Sequence, residues 1–266
     1  MPTTESTPLL QPPRTKSPNR LRASSRATAP LHTKRQHTAT NTDALLRDIT
    51  LGFSDGLTVP FALTAGLSVV GSTKIVIMGG LAELFSGMIS MGLGAYNVAI
   101  TERQHWVAER ERIVLSAGEG EDGREREAVL GVLGRYGISE GVADSLVREL
   151  SADEEAWVRF VMDFGMGLPE PERGRAWVSA VVMGGSYFVG GLVPMVPYFF
   201  MEEARRALGV SVGISVVVLL VFGFAKTYVT VRNRRAGAWG ALQTLVIGAV
   251  AAGTSYGVVR WVDEVS

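Results

Sequence analysis

Residues 48–97 read DITLGFSDGLTVPFALTAGLSVVGSTKIVIMGGLAELFSGMISMGLGAYN, and this stretch decides the fold. It divides into two apolar segments of helix length around Gly71-Ser72-Thr73-Lys74. Each segment carries one carboxylate, Asp55 in the first and Glu83 in the second. An Asp at the centre of a membrane helix costs about 2.5–3.5 kcal/mol on insertion scales, so a carboxylate at that depth serves a purpose. The second segment adds Met88 and Met91 among small residues. Carboxylate oxygen together with thioether sulfur, inside one polytopic bundle, points to a path for a divalent transition metal.

Working outward, apolar runs of about 20 residues recur, the length that crosses a hydrocarbon core of about 30 Å. The chain has 266 residues and 31 glycines, many of them within those runs, which suits close-packed membrane helices better than a soluble core. It has 26 basic and 26 acidic residues, so overall charge is silent on nucleic-acid or anionic partners, and no nucleic-acid partner is expected. It has no cysteine, which excludes disulfides, thiolate metal sites and cysteine nucleophiles. Five spans are expected, at about 50–70, 76–99, 177–200, 210–231 and 239–261. The fold class is therefore an all-α integral membrane protein with five transmembrane helices. Residues 43–100 carry the first two and residues 176–266 the last three.

Residues 1–42 are rich in Ser, Thr, Pro and Arg without apolar periodicity, and read as a disordered tail. The tail has no apolar core of the signal-peptide kind, so the first span is expected to be retained. Glu5, Leu9 and Leu10 within it have the acidic-dileucine form of a sorting signal for lysosomes and vacuoles. Eight Lys and Arg residues precede the first span, and Arg232, Arg234 and Arg235 lie between spans four and five. The opposite side carries fewer unbalanced positive charges, so the N-terminus is expected in the cytosol and the C-terminus in the lumen. Residues 101–175, with 17 acidic and 10 basic residues (net −7), fall on the cytosolic side. They read as a small helical domain inserted between helices two and three. TERQHWVAERERIVL continues span two beyond the membrane, and two or three amphipathic helices follow a Gly-rich loop. Asp153-Glu154-Glu155 marks a helix start, and Leu168-Pro169 a helix end.

Gly79, Glu83, Gly87, Met91 and Ala95 recur every four residues and share one side of a helix. That line is either a packing seam between helices or the wall of an ion pathway, and the seam alone would need no carboxylate. Near Asp55, Pro60 withdraws a backbone donor and releases the carbonyl of Gly56 for coordination, unless Asp55 is only a helix cap at the interface. Lys226 either snorkels to the cytosolic face or pairs with Asp55 or Glu83. Among the carboxylates of residues 101–175, Glu102, Glu109, Glu111, Glu125 and Glu127 could hold a cation if helices gather them, with His105 the one histidine candidate.

These residues resemble the vacuolar iron transporters, a family that includes fungal vacuolar iron and manganese carriers. The resemblance rests on RDITLGFSDGLTVPFALTAGL, GLAELFSGMISMGLGAY, the YGI at Tyr136 to Ile138, GGLVPMVPYFF, FGFAKTY and IGAVAAG, and covers about residues 45–262. It implies a five-span homodimer that exchanges cytosolic ferrous iron or manganese for lumenal protons. It implies that Asp55, Glu83 and Met91 line the path at the dimer interface, and that glutamates and a methionine of the inserted domain collect metal. Met162 keeps that methionine with Val161 beside it, and Glu102, Glu109 and Glu125 match acidic positions. Ala128 and Gly165 stand where glutamates are expected, so weaker metal capture is expected here. The rival readings are an intramembrane aspartyl protease, which needs a GxGD motif where this chain has GFSD, and a membrane scaffold without transport. The expected protein is thus no enzyme and holds no cofactor. It is a metal/proton antiporter of the vacuolar membrane whose partners are the bilayer, metal ions, protons and a second copy of itself.

Overall fold

The computed structural model describes residues 31–119 and 123–265, with side chains described over 42–116 and 123–265. Glu5, Leu9 and Leu10 lie outside the described residues. Residues 41–266 form one compact unit. Among the described residues there are helices and no strand, only an isolated bridge between Ser72 and Glu203. Helix α1 is Leu31–Leu67, α2 Thr73–Glu119, α3 Gly123–Arg135 and α4 Glu140–Leu150. Helix α5 is Glu154–Phe160, α6 Arg175–Phe200, α7 Ala204–Val231 and α8 Arg234–Val265. Five of these, α1, α2 and α6 to α8, are long and apolar enough to cross a membrane. The start of α1 corrects one expectation. Residues 31–42, assigned by composition to a disordered tail, are helical. No proline or glycine interrupts the sequence between 31 and 51, so nothing local breaks the helix there.

The turn between α1 and α2 is tighter than expected. A 3₁₀ turn at Ser68–Val70 ends on Gly71 at φ 79°, a left-handed position that suits glycine, and α2 begins at Thr73. The Thr73 hydroxyl then donates to the Glu202 carbonyl at 2.6 Å, and Ser68 Oγ meets the Tyr198 hydroxyl at 2.8 Å. Both bonds tie this turn to the far end of α6. Helix α2 runs unbroken for 47 residues, about 70 Å at 1.5 Å per residue. Its extension past the membrane segment becomes the platform of the inserted domain.

That domain packs Ile113 of α2 with Val129 and Leu133 of α3, Val147 of α4, and Trp157, Val161 and Met162 of the last helical segment. Asp153 caps α5 by accepting from the Glu155 and Ala156 amides at 3.1 and 3.3 Å, the start signal that the sequence carried. Trp106 Nε1 donates to the Leu168 carbonyl at 3.2 Å and fixes the exit strap against α2.

Glycine sets how closely the membrane helices approach. A Cβ on Gly56 would collide with the Tyr187 carbonyl, and one on Gly190 would sit 2.7 Å from the Phe53 carbonyl, so α1 and α6 touch backbone to backbone. Gly184 lies as tightly against the Met88 carbonyl, at 2.8 Å from a built Cβ. These contacts use part of the small-residue line on α2 as a packing seam between helices, one of the two readings its spacing allowed. Gly87 lies under the Tyr187 ring and Gly79 against Leu67, so the line packs within its own chain. The outward face of α2 carries Phe85, Ile89 and Leu93 instead, each half or more exposed.

Candidate metal-translocation site

The close crossing of α2 and α6 brings Tyr187 to Glu83. Tyr187 is buried, and its hydroxyl donates to Glu83 Oε1. The other oxygen, Oε2, is buried with no hydrogen-bond partner. A carboxylate oxygen left so is costly, and buried polar groups of this kind ask for a functional explanation. Met88 and Met91, further along α2 toward the inserted domain, pack against the cluster formed by Leu84, Tyr187 and Met195. Tyr187 was missed in the sequence. The one available signal was a single phenol within the apolar, glycine-rich MGGSYFVGG.

Asp55 lies on α1 and is exposed in the single chain. Its neighbour Gly56 packs against the backbone of Tyr187, so α1 meets α6 next to the residue that holds Glu83. Asp55 is not the first residue of its helix, since α1 begins at Leu31, which removes the reading of it as an N-terminal cap. Lys226 sits 5.7 Å from the centre of the Phe222 ring, and among the described residues no ion pair joins it to Asp55 or Glu83.

Met91 also opens onto a cavity of about 400 Å³ lined by Asp48, Ser90, Glu102, Arg175 and Met183 among others. Asp48 is 1% exposed, and while Arg47 approaches its Oδ1 at 3.6 Å, Oδ2 is buried without a partner. Arg175 pairs with Glu102 at 3.5 Å, leaving its own Nε buried and unpartnered. An orphan acceptor and an orphan donor therefore line the same cavity. Sequence reasoning assigned no role to Asp48 or Arg175. Along α2, Glu83 and Met91 are about 12 Å apart and Met91 and Glu102 about 16 Å. The carboxylates and sulfurs thus form a ladder from mid-membrane to the inserted domain.

The inserted domain does not gather its glutamates. Glu109 and Glu125 both pair with Arg112, Glu102 pairs with Arg175, and Glu111, Glu127 and His105 are exposed. Met162 is 2% exposed within the apolar core, where its sulfur packs against hydrocarbon. Among the described residues, no three His, Asp or Glu side chains come close enough to hold one metal ion.

The chain that carries these residues has known counterparts. The sequence profile of the VIT family matches residues 46–260. The chain belongs to the VIT family. It is 41% identical over 216 residues to the "Vacuolar iron transporter" of Centaurea cyanus, covering 81% of this chain and 86% of that protein. It is 40% identical over 221 residues to "Protein CCC1" of Saccharomyces cerevisiae, covering 82% of this chain and 68% of that one. The "Vacuolar iron transporter cccA" of Arthroderma benhamiae is 37% identical over 227 residues, with 82% and 80% covered. VIT proteins are membrane transporters and not enzymes, which removes the protease reading. The matched segment contains Asp55, Glu83, Met88, Met91 and Tyr187, as well as the whole inserted domain.

Proposed function

We propose that this protein carries ferrous iron, and manganese with it, from the cytosol into the vacuole in exchange for protons. The observation that carries this reading is Glu83. One of its oxygens is held by Tyr187 and the other is buried and free. A free carboxylate oxygen is where a proton and a cation compete for the same lone pairs. Iron enters from the cytosol through the cavity at Asp48, passes Met91 and exchanges its water for the oxygens of Glu83 and Asp55. Protons from the acidic lumen then occupy those oxygens and release it. Tyr187 keeps Glu83 oriented by donating to one oxygen, so the second stays available.

Dimerisation completes the path. Asp55 is exposed in the single chain, and a carboxylate facing lipid at that depth is costly. A twofold partner covers it and doubles the number of carboxylates in the path. In this arrangement the N-terminus and the inserted domain are cytosolic and the C-terminus lumenal, which the Lys and Arg distribution supports.

The test is iron and manganese uptake into proteoliposomes with an acidic interior, with and without the pH gradient. Wild-type protein should accumulate both metals and acidify the outside. Asp55→Asn and Glu83→Gln should each remove nearly all uptake while the protein keeps its elution volume on size exclusion. Uptake at the wild-type rate by a dimeric Asp55→Asn protein would end the proposal.

A further inference from the structure

The inserted domain contains a charge cluster that the membrane path does not use. Arg112, on the extension of α2, donates from Nε to Glu109 Oε2 at 2.9 Å and from Nη1 to Glu125 Oε1 at 3.3 Å. Glu109 is one turn earlier on α2, whereas Glu125 lies in the first turn of α3. The Glu125 side chain is 3% exposed, and its Oε2 is buried with no partner. One guanidinium thus spans two carboxylates from two helices over the Ile113–Val129 core. Two carboxylates converging at the edge of a dry core are also what a divalent cation would take. Here the cation is already present, and it is covalently part of the chain.

We propose that Arg112 is the resident cation of this domain, occupying the Glu109 and Glu125 oxygens that a divalent metal ion would need and stapling α2 to α3 without metal. The planar fork of arginine suits the role, because it reaches two carboxylates at once and cannot be displaced by deprotonation. The remaining nearby charges do not compete for it. Arg126 is engaged with Asp144 of α4 at 2.8 Å, and Glu111 and Glu127 are exposed. The domain therefore holds its shape in metal-poor cytosol, and this carboxylate pair takes metal only where Arg112 is absent. The inference is independent of the membrane path, since none of its three residues lines that path.

The experiment uses the full-length protein in detergent, with Mn²⁺ as probe and calorimetry and thermal melting as readouts. Four proteins are compared: wild type, Arg112→Gln, Arg112→Gln with Glu125→Gln, and Glu109→Gln with Glu125→Gln. Metal bound in the membrane is common to all four and cancels in the comparison. Arg112→Gln should gain one Mn²⁺ site per chain, on the order of tenfold tighter than anything wild type binds in this domain, because charge count sets affinity at such sites. Adding Glu125→Gln should remove it, and Mn²⁺ should raise the melting temperature of Arg112→Gln more than that of wild type. Glu109→Gln with Glu125→Gln should bind as many ions as wild type. An Arg112→Gln protein that gains no site would overturn the proposal. So would loss of a wild-type site in the Glu109→Gln, Glu125→Gln protein, and that second comparison decides the matter if Arg112→Gln does not fold.

Discussion

Replacing Tyr187 by Phe removes one oxygen and little else. The ring is 3% exposed and packs with Leu84 and Met195, so phenylalanine fills the same space and leaves no cavity. What disappears is the hydrogen bond to Glu83 Oε1. The other oxygen of that carboxylate already lacks a partner, so Glu83 would keep none. A hydrogen bond to a charged group is worth about 1.5–3 kcal/mol. At about 1.4 kcal/mol per decade, that is one to two decades in an equilibrium constant. Only the ionised carboxylate accepts metal, and Tyr187 supports that form. The apparent KM for ferrous iron should therefore rise about 10- to 100-fold, while the maximal rate at saturating iron changes little. Uptake by Y187F proteoliposomes across a range of iron concentrations measures both quantities. A wild-type KM would refute the role given to Tyr187, and an unchanged KM with a collapsed maximal rate would place it in the conformational step instead.

Other substitutions probe the rest of the path. Met91→Leu keeps volume and loses only sulfur, so iron uptake should fall several-fold and manganese uptake less, because manganese is the harder ion; equal losses measured in parallel assays would show that the thioether only packs. Asp48→Asn should slow iron entry at low external metal without changing dimer elution, and an unaltered initial rate would remove that cavity from the route. A Cβ at Gly56 would meet the backbone carbonyl of Tyr187, which cannot rotate away, so Gly56→Ala should cost about 1–3 kcal/mol in thermal unfolding in detergent. Because the chain has no cysteine, single cysteines at Ser145 and Asp263 report topology cleanly. On intact vacuoles an impermeant maleimide should label the first and not the second.

Length and apolarity decided the scaffold from sequence alone, because bilayer thickness imposes a one-dimensional requirement that a linear pattern can state. Asp55, Glu83, Met88 and Met91 were visible for the same reason, since a carboxylate in an apolar run is conspicuous without any knowledge of its neighbours. The cap at Asp153 was visible because it acts within three residues. The partner of Glu83 was not, because Tyr187 is 104 residues away and meets it only where α2 and α6 cross. The packing partners of Gly79 and Gly87 were equally hidden. Four-residue spacing places small residues on one face, but only helix packing determines whether that face meets its own chain or another. Glu109 and Glu125 carry the same lesson in charge. Their types suit a metal, and it was the tertiary placement of Arg112 between two helices that assigned them a cation of their own, because a guanidinium within hydrogen-bonding distance neutralises carboxylates that the sequence lists as available.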